Sequence, residues 1–127
     1  MELLLDGEAV NIITIGDTIA VLFDNDRSLV IENAFTITGV EGDVTPVNVK
    51  ELGATGSEIL RRLRERVAEA TISAAGRLKI TWETGSIWTV DPLADRDAWS
   101  VAEMGKEPFV ECRPGGNLRP HQLLGPS

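Results

Sequence analysis

The chain has 127 residues, 43% hydrophobic and 25% charged, with 20 acidic against 12 basic side chains and a net charge of -8. This composition fits one globular domain, long enough to bury a core without cross-links. The charge disfavours phosphate backbones and anionic membrane surfaces. Cys112 is the one cysteine, so an intrachain disulfide is excluded and a reducing compartment is expected. Met1 to Asp6 lacks a basic leader, so no signal peptide is expected. No run approaches the ~18 apolar residues of a membrane helix. The expected location is cytoplasmic.

Residues 9–15 and 17–23 read as strands joined at Gly16-Asp17, with Ile19, Val21 and Phe23 on one face. A turn at Asp24-Asn25-Asp26 leads into Leu29 to Glu32, and Phe35 to Thr38 follows as a short strand. Residues 39–54 read as irregular, with Val44, Val47 and Val49 a short edge strand that tolerates Pro46. A helix is expected near residues 55–69. Thr55 and Glu58 have capping-box spacing, and Ala54 and Ile59 stand where a hydrophobic staple would form. Ile59, Leu60, Leu63 and Val67 form the expected apolar stripe. Glu58, Arg61, Arg62 and Glu65 form the opposite, solvated face, with Glu58–Arg62 and Arg61–Glu65 at i,i+4 spacing.

Glu69 to Ala74 and Arg77 to Glu83 read as the next strand pair, and the chain returns through Ser86 to Val90. A three-residue loop with Gly85 in the left-handed region pairs Trp82 with Ser86. It puts Trp88 and Val90 on the face of Ile80 and Leu78. Asp26 holds the same place in the first hairpin, and aspartate tolerates that conformation. Residues 91–97 form a loop. Trp99 to Ala102 and Phe109 to Arg113 are the last strands, with a turn near Gly105 between them. Pro114-Gly115-Gly116 is expected to end regular structure, leaving 117–127 as a loose tail from which Leu118, Leu123 and Leu124 can dock.

Much of this pattern occurs twice. Ile13, Ile19, Val21, Phe23, Leu29 and Ile31 recur 59 residues later as Ile72, Leu78, Ile80, Trp82, Trp88 and Val90. After an insertion, Ala34-Phe35-Thr36-Ile37 is echoed by Ala98-Trp99-Ser100-Val101. The expected fold is α+β and mostly antiparallel β. Two similar units of three to four strands, 9–38 and 68–102, pack as a sandwich or partial barrel within a single domain, 1–127. Phe23, Trp82, Trp88 and Trp99 are expected in its core.

From Gly7 to Gly116 the chain resembles a family of small uncharacterised bacterial domains. The resemblance rests on Val21-x-Phe23, Leu29-x-Ile31-Glu32 and the run from Gly76 through Leu78, Ile80, Trp82, Gly85, Trp88 and Val90 to Pro92. It also rests on Asp97-Ala98-Trp99 and on Val110-x-Cys112-x-Pro114-Gly115-Gly116. Leu118-Arg119-Pro120-His121 departs from it, since similar chains run on to an aromatic there. The resemblance implies a fold and an intracellular bacterial setting. It implies no activity.

The sequence alone yields no function. Asp91, Asp95 and Asp97, with Glu83, are candidates for a divalent cation or an acid–base pair. The competing reading is a solvated loop. Cys112 and His121 are candidates for a nucleophile and its base, set against an inert thiol and a surface imidazole. Two soft ligands fall short of a zinc site. Asp24-Asn25-Asp26 fails the calcium-loop pattern, because Leu29 and Phe35 stand where it needs Gly and an acid. Pro114-Gly115-Gly116 is not followed by the Lys-Ser/Thr of a phosphate loop. Arg61, Arg62, Arg64 and Arg66 are interleaved with Glu58, Glu65 and Glu69, which argues against nucleic acid.

The expected function is therefore a non-catalytic, intracellular protein-binding module without catalytic residues, cofactor or metal. Asp91, Asp95, Asp97, Arg61 and Arg62 are its candidate binding residues. An acidic chain of this kind suits a basic partner, as an immunity protein or antitoxin does. A homodimer through a strand edge is the second binding expectation. The enzyme alternative is a hydrolase or metal-dependent activity built on the 91–97 aspartates, or on Cys112 with His121.

Overall fold

Period-two alternation in this chain builds strands almost throughout. The computed structural model describes residues 5–53, 55–103 and 108–119. The first segment runs through β1 (Val10–Ile15), β2 (Ile19–Phe23), β3 (Arg27–Ile31), β4 (Ala34–Thr38) and β5 (Val44–Asn48). A short helix, α1 (Thr55–Leu60), precedes the second segment. That segment contains β6 (Val67–Ile72), β7 (Leu78–Trp82), β8 (Ile87–Val90), β9 (Trp99–Glu103) and β10 (Pro108–Arg113). A 3-10 turn at Pro114–Gly116 then leads into β11 (Asn117–Arg119).

The strands form two open antiparallel sheets. One has six strands in the order β1-β2-β3-β9-β10-β11, and the other five in the order β5-β4-β8-β7-β6. Neither sheet closes into a barrel. Each segment lays down a three-strand meander and sends its fourth strand across, so β4 pairs with β8 and β9 with β3. The inward residues of both sheets share one apolar cluster. Phe23, Trp82, Trp88 and Trp99 lie in it at no more than 1% exposure. Trp88 packs between Phe35 and Trp82, with ring centroids 5.0 and 5.1 Å away.

The hairpins follow from their turn residues. Trp82 N–H donates to the Ser86 carbonyl at 2.9 Å, and Gly85 sits at φ 98°. Ile80 therefore faces Trp88, and Leu78 faces Val90. In the first segment Asp26 has φ 66°, and Val21 faces Leu29. Pro46 lies in β5, an edge strand, where a missing N–H costs the ladder nothing.

The edges of the two sheets touch where β1 and β6 begin. Ala9 and Arg66 form an antiparallel bridge. On one side of it Gly7 N–H donates to Val67 O at 2.7 Å, and Val67 N–H to Glu8 O at 3.0 Å. On the other side Arg64 N–H donates to Val10 O at 2.9 Å, and Val10 N–H to Glu65 O at 2.9 Å. Gly7 and Arg64 both adopt positive φ, 79° and 69°. β1 and β6 also carry matching bulges, between Val10 and Ile12 and between Val67 and Glu69.

Four expectations need correction. The helix ends at Leu60, far short of residue 69. The residues after it are needed as sheet partners: once Arg64 and Glu65 bond Val10, the helical ladder cannot continue. The expected stripe is accordingly split, with Ile59 and Val67 buried but Leu60 and Leu63 exposed. The capping box is also absent. The Thr55 hydroxyl donates to the Leu52 carbonyl, and Glu58 turns to arginine; Ala54 lies outside the described residues.

Ile15 opposes Ile19 and Ile72 opposes Leu78, so the turn between β6 and β7 is two residues longer than the one between β1 and β2. Finally, regular structure runs on past Gly116, since β11 pairs with β10, and Leu118 packs against the core as its docking was expected to do. The remaining tail residues, 120–127, lie outside the described residues.

Candidate functional site

The sequence-derived candidates do not converge. Asp91, at the end of β8, accepts a bond from Arg77 Nε at 2.5 Å. Asp95 lies 3.6 Å from Arg96, and Asp97 lies 3.5 Å from Arg113. Each aspartate therefore faces a different arginine. Among the described residues no three acidic, His or Cys side chains gather as metal ligands would. His121 lies outside the described residues.

Cys112 is fully buried on β10. Its thiol donates to the Gly76 carbonyl at 3.4 Å, and the Trp99 indole N–H donates to the same oxygen at 3.0 Å. Burial, and secondarily the charge of Asp97, pushes the thiol pKa up. A sealed thiol held in its neutral form is a poor nucleophile. Glu32, at the end of β3, is also pushed up, first by burial and then by Asp97.

A groove of about 560 Å³ opens at the other end of the five-stranded sheet. The β4–β5 turn brings Glu41 and Asp43 to it, α1 brings Glu58 and Arg61, and the β7–β8 hairpin brings Thr84. Arg62 lies at its base. The sequence placed Arg62 on a solvated helix face, and this is a further correction: it is only 8% exposed. The chain leaves helical geometry here, so the side chain turns in towards the hairpin. Arg62 Nη1 lies 2.9 Å from a Glu65 carboxylate oxygen and 3.2 Å from Thr84 Oγ1. The Thr84 hydroxyl in turn donates to Glu65 at 2.5 Å. Glu58 stands 4.0 Å from Arg62 and 3.0 Å from Arg61, so Arg61 pairs with Glu58 and not with Glu65 as its spacing predicted.

This network leaves the buried Arg62 Nε–H without an acceptor among the described residues. A buried charge normally requires full pairing. Here it anchors the hairpin to α1, and the carboxylates above it remain open to solvent. Glu41 and Asp43 thus face the groove as acceptors for a cationic group, and Val40 lines it as an exposed apolar residue. Sequence reasoning missed Glu41, Asp43, Glu65 and Thr84. Their roles depend on the β4–β5 turn and the β7–β8 hairpin meeting α1, and no local pattern encodes that meeting.

No curated protein and no solved structure matches the chain. No described helix is long and apolar enough to cross a membrane. The profile of a family of unknown function, DUF6188, matches residues 1–122. The chain therefore belongs to this family, DUF6188, whose function is unknown.

Proposed function

We propose that the protein is a non-catalytic, intracellular protein-binding module whose partner presents a basic surface. The observation that carries this reading is the contrast between dispersed reactive groups and a polar groove with carboxylates on its rim. The aspartates of 91–97 are spread over three arginines, and Cys112 is sealed. Glu41 and Asp43, beside the Glu58–Arg61 pair and the buried Arg62, line one groove and leave it acidic in a chain of net charge -8. Such a surface steers a cationic partner and repels nucleic acid.

The scaffold under this groove is, in our reading, a sandwich of two copies of one unit. They are related by an approximate two-fold axis near the Ala9–Arg66 bridge. The paired hydrogen bonds of Gly7 with Val67 and of Arg64 with Val10 support it, as do the matching bulges. Asp24 N–H and Glu83 N–H extend the pairing, donating to Ala9 O and Arg66 O at 3.0 Å each.

The test is capture of a partner from the native cell, followed by titration against purified wild type and the double variant Glu41→Lys, Asp43→Lys. Binding that weakens with salt and is lost in the variant supports the reading. Equal binding by both chains, or turnover of a hydrolase substrate by the purified protein, overturns it.

A further inference from the structure

We propose that the open edge of β1 is the interface through which two copies of this chain pair. Each sheet ends in two edge strands, and an unprotected edge is a template for another strand. Three of the four carry a recognisable protection. β5 contains Pro46, β11 is three residues long and ends in Arg119, and β6 presents an exposed Glu69.

β1 has none of these protections beyond Val10, whose own N–H and carbonyl already bond Glu65 and Arg64, so its open stretch is residues 11–15. Val10–Ile15 contains neither charge nor proline, and its Asn11, Ile12, Thr14 and Ile15 are exposed. Ile12 is 50% exposed and Ile15 38%. The two units make the contrast direct. At the spacing that relates Val10 to Val67, Ile12 falls on Glu69. The same backbone position thus carries a carboxylate on one edge and an isoleucine on the other.

The occupant follows from charge and symmetry. A chain of net charge -8 repels its own copies except where its surface is locally neutral, and Ala9 to Gly16 is an uncharged run. A two-fold axis sets an edge strand antiparallel to its mate, so the same neutral patch meets itself. The isoleucines are then covered, and the two six-stranded sheets become one. This face differs from the acidic groove, so dimerisation and partner binding are separable.

Sedimentation of the full chain from tens of micromolar to the millimolar range tests the idea. Wild type is expected to reach twice the monomer mass. Ile12→Glu, which copies the residue β6 already carries, is expected to stay monomeric or to dimerise at least about tenfold more weakly. Thr14→Lys gives the same readout should Ile12→Glu fail to fold, as judged by circular dichroism. Val44→Glu, on β5, leaves the dimer intact. A wild type that stays monomeric throughout overturns the proposal, as does a dimer that survives both β1 substitutions. Loss of the dimer through Val44→Glu alone overturns it too, because the interface then lies on β5.

Discussion

Leu5 and Arg62 each open a turn of the same hydrogen-bonded kind and do opposite things. Glu8 N–H donates to the Leu5 carbonyl at 3.0 Å, and Glu65 N–H donates to the Arg62 carbonyl at 2.9 Å. The backbone follows one path in both. Leu5 is a fully buried apolar plug, whereas Arg62 brings a guanidinium that recruits Glu65, Thr84 and Glu58. The route of the chain is thus set by backbone pairing and alternation. The side chain at one position then decides whether that end of the molecule is dry or polar.

The largest expected effect falls on the core both segments share. Trp99 is fully buried, and its indole N–H bonds Gly76, so Trp99→Ala removes packing and a hydrogen bond together. A loss of about 3–5 kcal/mol is expected in urea unfolding. A loss under about 1 kcal/mol would mean that the segments are stabilised separately.

Arg62→Leu converts the polar end towards the dry one and tests the comparison itself. It leaves the Glu65 carboxylate, at 10% side-chain exposure, without its cation. A cost of about 2–3 kcal/mol is expected, because breaking one half of a buried pair strands the other. Adding Glu65→Leu should recover most of that loss. If the double variant is no more stable than Arg62→Leu, the network is not the reason for the difference.

A second difference is the turn before β7. In the first segment Gly16 to Thr18 suffices, whereas Ser73 to Arg77 is longer and lays Ala75-Gly76 against Cys112 and Gly116. Gly116 has φ 86°, and a Cβ there would run into the Ala75 carbonyl oxygen. Gly116→Ala is expected to cost about 2 kcal/mol from the positive φ and the collision together. Gly115→Ala shares the positive φ but meets only the flexible Asn117 side chain, so it is expected to cost less. Equal losses would show that the close approach to Ala75 contributes little.

Alternation made the sheets legible. Leu78, Ile80 and Trp82 declare an inner face, and Gly85 and Asp26 declare the left-handed turns that fix the register. The end of α1 was hidden for an identifiable reason. Ile59, Leu60, Leu63 and Val67 satisfy a helical period, but Val10 supplies backbone partners that no local window contains. The groove was illegible for the same reason, since Glu41, Thr84 and Arg62 come from three separate turns. Asp91, Asp95 and Asp97 were conspicuous because they lie close in sequence, yet proximity along a loop does not make side chains converge.

The smallest expected effect compares Glu32 with Asp91, which follow the last residues of β3 and β8, Ile31 and Val90. Asp91 faces Arg77, whereas Glu32 is partly buried near Asp97. Burial, and then the like charge, lifts the Glu32 pKa above its ordinary 4.5, so the fold favours the protonated form. The sign follows from linkage. Above the folded pKa the ionised carboxylate is a destabilising charge. As pH falls through that value the native state takes up its proton before the unfolded chain does, and the penalty is relieved. Below 4.5 both states are protonated and nothing further changes. Glu32→Gln should therefore raise the melting temperature slightly at pH 7, and the gain should shrink to nothing in acid. Asp91→Asn should give no such gain at pH 7, because it removes the anion that Arg77 faces. A Glu32→Gln gain that persists unchanged below the ordinary carboxylate range would trace the effect to packing, and the electrostatic contrast between the two strand ends would fail.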